Sequence, residues 1–487
     1  MRKRFEPQLI IGQLAIEETP IPLKSRGCLA PLIASLKEIF IVPEWNERVF
    51  EILERKILSD KKKTGRPGMD LWQIFVLAQV RLCLNISYDE LHDLANYHTL
   101  IRQLMGVATE FGYDKVEFEY QNILDNVSLL DDATVRELND VIVGFGHNVF
   151  KKKEVEPLHL KTDSFVVKSN VHFPTDYNLL LDCARKCLDT VETFLEKYPC
   201  IPMWRKISNW YADLKNMMRT LSRVSASGGI GKEQRIKIAT KKYLKKANAL
   251  QRKLQTSKSI LPSNDMIDIA LHLELQRYMN LLDKHIDLVY RRLLKGEVIP
   301  HNEKMFSIFE EYTEWITKGK RHPNVELGKN TAITTDQYHL IVDYHVMNHE
   351  TDTGIVIPLF ERMSKKHTVD SWSFDRGFWN MDTKLKLMKV IIHVIMPRKG
   401  KKNKLESEEE SQKIFRKLKN KHSAIESNIN ELEHHGLDRC PDRGYEHFKR
   451  YIGLAVCAYN LKRIGKELLE QKRDEINSRN QAGKVAA

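Results

Sequence analysis

Apolar residues between Met69 and Leu84 (Leu71, Ile74, Phe75, Ala78, Leu82) recur at helical spacing. The break Leu84-Asn-Ile-Ser87 is followed by Ser87-Tyr-Asp-Glu90, a capping box that starts a second helix. Two short helices across a tight turn are compatible with a helix-turn-helix reader of DNA; an ordinary helical hairpin is the competing reading. Residues 44–107 read as helical, and a further helix spans 133–150. The texture then changes. Leu158 to Phe173 is β-branched and partly alternating, which reads as one or two strands. Pro174-Thr-Asp176 supplies helix-start chemistry, and Leu179, Leu180, Cys183, Cys187, Val191 and Phe194 make a helical stripe that marks both thiols as core. Helical texture runs from about 177 to 317. Strand texture returns at 331–347 and at Ile355–Leu359. Ser371–Phe374, a helix around 380–388 and Ile391–Met396 form a strand, helix, strand unit with parallel strands. Helices around 409–434 and 444–470 and a polar tail, 471–487, close the chain. The pattern is a mixed α+β fold in which a sheet is split by a long helical insertion that must loop out and return, because the strands on either side need one another.

Composition adds a direction. Among 487 residues, 78 Lys and Arg against 65 Asp and Glu leave a net charge of +13, which favours a polyanionic partner. The surplus concentrates at Lys61, Lys62, Lys63 and Arg66, at 398–404, and between Lys232 and Gln255, where nine basic residues face a single Glu. Such a run is usually a solvated helix face; one this unbalanced is also a candidate phosphate-contacting surface, with Lys241, Lys242, Lys245 and Lys246 at its centre. The seven cysteines form no CxxC pair and fit a reducing compartment. The longest apolar run, Tyr451–Leu461, is too short to span a bilayer, so the expectation is a cytoplasmic, bacterial, nucleoid-associated protein with no membrane partner.

Candidate chemistry lies in carboxylates. Asp163 sits inside a strand, where a charge is costly unless paired or coordinated. Asp375 ends another strand, and Gly377 stands where the backbone must turn tightly or approach a substrate. Acids on neighbouring strands are close enough to share divalent ions, and a third from a following helix would complete an oxygen shell. Spacing alone does not choose among Glu426, Glu431 and Glu433. For any one of these acids, a surface or capping role is the competing reading. No phosphate-cradling Gly-Lys-Ser/Thr loop occurs. The His434-His435, Cys440 and His447 group has ligand types without an established zinc spacing.

The blocks Lys304 to Lys320, Ser373-Phe-Asp375-Arg-Gly-Phe378, Ala424 to Cys440 with Arg443-Gly444, and Asn460-Leu461 resemble the signature blocks of an insertion-sequence DDE transposase. Gly65-Arg-Pro-Gly-Met-Asp-Leu-Trp72 with Ser87 to Leu91 is similar to the N-terminal helical domain of the same group. The likeness runs in order from about 60 to 465, leaving out 200–260 and the tail. It implies an all-α N-terminal DNA-binding and dimerisation region, 1–150, and a ribonuclease-H-like catalytic domain, 155–470, interrupted by a mostly helical insertion, 177–320. It also implies that Asp163, Asp375 and Glu426 hold two Mg2+ or Mn2+ ions. Many relatives place a Tyr and an Arg shortly before the glutamate; here Lys419 and His422 stand nearest, with Lys421 as a substitute cation. Arg376, Arg398, Lys399 and Lys401 are assigned to the scissile strand. The implied function is binding of the element's terminal inverted repeats and of target DNA by a homo-oligomer, with strand cleavage and transfer. A non-catalytic DNA-binding protein and a ribonuclease-H-like repair nuclease are the alternatives.

Overall fold

A computed structural model describes residues 2–9, 13–59, 68–108, 116–199, 204, 206–317 and 324–485. The basic group Lys61, Lys62, Lys63 and Arg66 lies outside the described residues. The chain divides into two compact units, one formed by Met1–Asn170 with Ile316–Ala487 and the other by Val171–Trp315.

The first unit opens with seven helices: α1 (Leu29–Ile41), α2 (Pro43–Leu58), α3 (Leu71–Leu84), α4 (Tyr88–Tyr97), α5 (Thr99–Leu104), α6 (Tyr120–Val127) and α7 (Asp132–Val149). The capping box at α4 forms as the sequence indicates, with the Ser87 hydroxyl accepting from the Glu90 amide and the Glu90 carboxylate from the Ser87 amide. Asn85 makes the turn in the left-handed region, at φ 52°. α3 is buried on nearly every side, whereas α4 exposes Asp89, Glu90 and Asp93 and carries no Lys or Arg. The second helix of this hairpin therefore presents acids, not a phosphate-docking face.

The sheet consists of β1 (Leu158–Ser169), β2 (Glu314–Thr317), β3 (Val325–Thr335), β4 (Ile341–Val346), β5 (Val369–Phe374), β6 (His393–Ile395) and β7 (Arg439–Cys440). Its main path is β2-β3-β1-β5-β6, with β4 also on β3 and β7 also on β1. The β1–β3 and β3–β4 pairs are antiparallel; β1–β5, β5–β6 and β1–β7 are parallel. One face is apolar: Leu158, Leu160, Trp372, Phe374 and Val394 bury against helices α12 (Asp352–Lys366) and α13 (Met381–Leu387), the latter being the β5–β6 crossover. The other face carries His159, Lys161 and Asp163 of β1, Ser371 and Ser373 of β5, and His393 of β6.

The second unit is a bundle of four helices, α8 (Asp176–Lys197), α9 (Ile207–Ala226), α10 (Lys232–Lys258) and α11 (Met266–Tyr290). Its core includes Phe194, Leu214, Tyr243, Leu250 and Leu282, and Cys183 and Cys187 are fully buried within it. The Thr175 hydroxyl caps α8.

Helices α14 (Lys404–Ser411), α15 (Lys413–His422), α16 (Ala424–Leu432) and α17 (Tyr445–Val485) complete the first unit. The apolar run in α17 is its core, packed on α1, α3 and α7. No helix among the described residues is long and apolar enough to cross a membrane.

Three readings of the sequence change. Ile355–Leu359 is not a strand but part of α12: the Thr351 hydroxyl accepts from the Gly354 amide to start the helix, and Ile355, Val356, Leu359 and Met363 turn toward the sheet. Pro358 is accommodated inside that helix. The helix expected over 409–434 is three segments, broken by Gln412 in an extended conformation (φ −60°, ψ 140°) and by the joint at Ser423. The helical stretch expected to reach 317 ends earlier, and β2 occupies Glu314–Thr317.

Candidate functional site: a carboxylate cluster at the end of the parallel strands

Parallel pairing aligns Lys161 with Ser373 and Thr162 with Phe374. The pairing ends there, and Asp163 and Asp375 are the next residues of the two neighbouring strands, near enough for the charge of Asp375 to act on Asp163. Asp163 is half-buried, and its Oδ1 accepts from the Ser164 amide at 2.7 Å. Asp375 is exposed; it begins a 3-10 turn over Arg376–Phe378, and its carboxylate is not spent on capping that turn. Glu426 is exposed in the first turn of α16, a helix that packs on β1.

A fourth carboxylate joins them. Asp352, the first residue of α12, accepts from the Ser164 hydroxyl at 2.7 Å and from the Asn330 amide at 3.3 Å. A Cβ on Gly377 would stand 2.9 Å from Asp352 Oδ2, so the close approach inferred from that glycine is made to an acid of the cluster.

The electrostatics follow from this crowding. Burial first, then the negative fields of Asp375, Asp352 and Glu426, push the Asp163 carboxyl up to about 6, opposed by the Ser164 hydrogen bond alone. Asp352 is also raised, by burial and then by Asp375, against the pull of its two hydrogen bonds and of Lys399. The donor set is all oxygen and carries surplus negative charge, which suits a hard divalent cation. As the side chains stand, no three His, Cys, Asp or Glu among the described residues are close enough together to hold one. The three acids singled out from the sequence thus share one field, with a span still open for ligation.

Around them, His422 at the end of α15 faces Ser373, Nδ1 to Oγ 3.0 Å, and burial holds its imidazole down to about 4 despite the field of Asp375. It is neutral near pH 7 and adds no positive charge to the slot before Glu426. Arg376, Lys399 and Lys401 are exposed. Arg398 is already engaged, bonded to Glu406 and lying 5.1 Å from the centre of the Trp379 ring, with its backbone amide on Glu410. In the second unit Lys241, Lys242 and Lys245 project from α10 into solvent, whereas Lys246 pairs with Asp213 at 2.6 Å and covers Trp210.

The sequence reading missed Asp352. The signal was present in Thr351-Asp-Thr-Gly354, a helix start after a strand, but the apolar run behind it was taken for another strand. Compared with known proteins, the chain matches no family model, no curated protein and no solved structure.

Proposed function

We propose that the chain is a DDE-type transposase that cuts and rejoins DNA strands at the ends of a mobile element. The observation that carries this reading is the strand pairing that makes Asp163 and Asp375 the next residues of neighbouring strands, with Glu426 in the same field. The strand path supports it too. The pairing of β4 with β3, β3 with β1, β1 with β5 and β5 with β6, antiparallel in the first two and parallel in the last two, is compatible with a ribonuclease-H-like sheet with the first acid on β1; β2 and β7 are further strands of the same sheet. Asp163, Asp375 and Glu426 would hold the divalent ions, with Asp352 beside them. When bound, Mg2+ or Mn2+ would supply charge neutralisation at the scissile phosphate and activation of an attacking hydroxyl.

The chain's own residues account for binding and orientation. Ser164 and Asn330 fix Asp352, and the Ser164 amide fixes Asp163. Arg376 and Lys399 lie beside the acids and suit flanking phosphates. Lys241, Lys242 and Lys245 offer a sequence-independent phosphate contact whose affinity falls steeply with salt. Membership of a homo-oligomer on paired DNA ends belongs to the same proposal.

The test is cleavage of plasmid DNA carrying the sequences that flank the coding region, with Mg2+ and purified protein. Nicking or strand transfer is expected, with loss of at least about a hundredfold in D163N and D375N while DNA binding is kept. Unchanged cleavage by both variants overturns the assignment. A non-catalytic DNA-binding role rests on the unclosed spacing of the acids and predicts binding without any metal-dependent cleavage.

A further inference from the structure

We propose that the cavity on the polar face of the sheet, beside the acids, is a binding site for a phosphorylated nucleoside. The cavity measures about 660 Å3, a size typical of sites that enclose a small organic ligand. Its floor is made by His159 and Lys161 of β1, Ser371 and Ser373 of β5, and Ile395 of β6; its roof is α15. The floor's last pair, Lys161 and Ser373, lies two residues before Asp163 and Asp375 on the same two strands.

Charge decides the class of ligand. Three ammonium groups, from Lys161, Lys417 and Lys421, line this one space, and among the described residues none has a carboxylate within ion-pairing distance. Neighbouring lysines do: Lys384 is 2.6 Å from Glu409 and Lys402 is 2.6 Å from Glu410. Lys161 is buried, yet its ammonium, which has three protons to donate, reaches the Asp336 carbonyl at 3.1 Å. The buried Asp336 carboxylate acts on Lys161 from beyond ion-pairing distance while Lys421 repels it, so an anion in the cavity would add the direct partner that the Lys161 ammonium lacks. The one acid on the wall, Asp370, lies 3.4 Å from His159 Nδ1.

The remaining wall fits a nucleoside better than a bare phosphate. Ile395, Ile414 and Leu418 provide an apolar patch, while His393 and His339 present flat imidazoles and Asn420 presents an amide able to pair with a base edge; the Gln337 amide is held by His159, Glu156 and Pro157 and shapes the wall. His339 sits at φ 65° in the tight turn between β3 and β4, closed by its amide on the Asp336 carbonyl, which fixes where its ring meets the cavity. The phosphate would sit among the lysines. The nucleotide can come free from solution or as an unpaired nucleotide of a DNA strand whose next phosphate reaches the acids. The inference goes beyond the cleavage reading and does not need it.

Calorimetric titration of the full chain tests it with three probes: deoxyadenosine 5′-monophosphate, inorganic phosphate, and a DNA hairpin with or without unpaired 3′ nucleotides. The variants are K417E and K421E, both on the exposed helix α15, with D375N as a comparison. Expected is nucleotide binding that each Lys→Glu change weakens roughly tenfold or more and that D375N retains. Binding of the mononucleotide supports a free-nucleotide source; binding only of the hairpin with unpaired ends supports a strand source. The proposal is overturned if phosphate alone binds as tightly as the nucleotide, if K417E and K421E leave affinity unchanged, or if no probe binds. Nucleotide binding together with cleavage that survives D163N and D375N would sink the transposase assignment and leave this site standing.

Discussion

Asp442 is the sharpest place to separate structure from chemistry in the block that resembles a transposase signature. It follows β7 and receives two guanidinium groups. Arg81 of α3 donates from Nη2 to Oδ1 at 2.6 Å and from Nη1 to Oδ2 at 3.1 Å, and Arg450 of α17 donates to Oδ2 at 3.3 Å. Both arginine side chains are 4% exposed and the Asp442 side chain is 10% exposed. Burial opposes the charge on Arg81, and Asp442, aided by Tyr88 and Tyr451, more than restores it. Asp442→Asn keeps the shape but leaves two buried cations without their carboxylate. Removing one partner of a buried pair costs about 3–5 kcal/mol; because an amide oxygen still accepts one bond, about 3 kcal/mol is expected. At an m-value of about 1–3 kcal/mol/M, urea denaturation followed by circular dichroism should show a midpoint lowered by roughly 1 M or more. R450M alone should cost less, since Arg81 stays paired, and the double variant should cost clearly less than the sum. A D442N midpoint within about 0.3 M of the parent, or strict additivity with R450M, would refute the reasoning. On the transposase proposal, DNA cleavage by folded D442N should be unchanged, which would distinguish this residue from Asp163.

Three further outcomes follow from the same kind of reading. Asn460 is fully buried and holds the Ile341 amide at 2.8 Å, the Ile341 carbonyl at 2.9 Å and Asn139 at 2.9 Å; N460A should cost about 2–4 kcal/mol and speed hydrogen exchange in β4. His285 in α11 is buried with neither ring nitrogen bonded, and burial holds it down to about 4. The folded state therefore refuses a proton that the unfolded state accepts below about pH 6.5, so stability falls as pH falls, by about 2 kcal/mol between pH 8 and 5. His367 and His422, held down by burial in the same way, add to the same window; H285L should therefore remove about 2 kcal/mol of the change in a pH series of melts, and an identical slope would count against the assignment. At Gly465 a Cβ would stand 1.8 Å from the Pro31 carbonyl oxygen, where α1 crosses α17. Ala at a helix interior normally gains about 1 kcal/mol over Gly, but a backbone clash that close should outweigh it, so G465A should lower the melting temperature.

Local signals were legible wherever a short stretch of chain settles its own conformation. Ser87 with Glu90, Thr175 before α8, and the β5–α13–β6 crossover all sit where their residues indicate. Asp163 was visible because a charge inside a strand demands a reason. What escaped depends on residues far apart in sequence. Asp352 is drawn into the cluster by Ser164, and Asp442 is matched to Arg81 across most of the chain. The run Ile355–Leu359 is apolar enough for either element, and burial against the sheet, not propensity, makes it helical.

The position of α17 bears on how the protein is made. Helices α1, α3 and α7 bury their apolar faces on α17, so they wait for a segment translated about three hundred residues or more after them. The four-helix unit, Val171–Trp315, is contiguous and has its own core. At about 5–20 residues per second, the ribosome needs on the order of 7–30 s after Trp315 to deliver Leu461. During that interval the bundle can be complete while the N-terminal helices and β1 still lack their partners. A chain terminated before Tyr445 would hold a finished bundle joined to a sheet whose packing helices lack their partner.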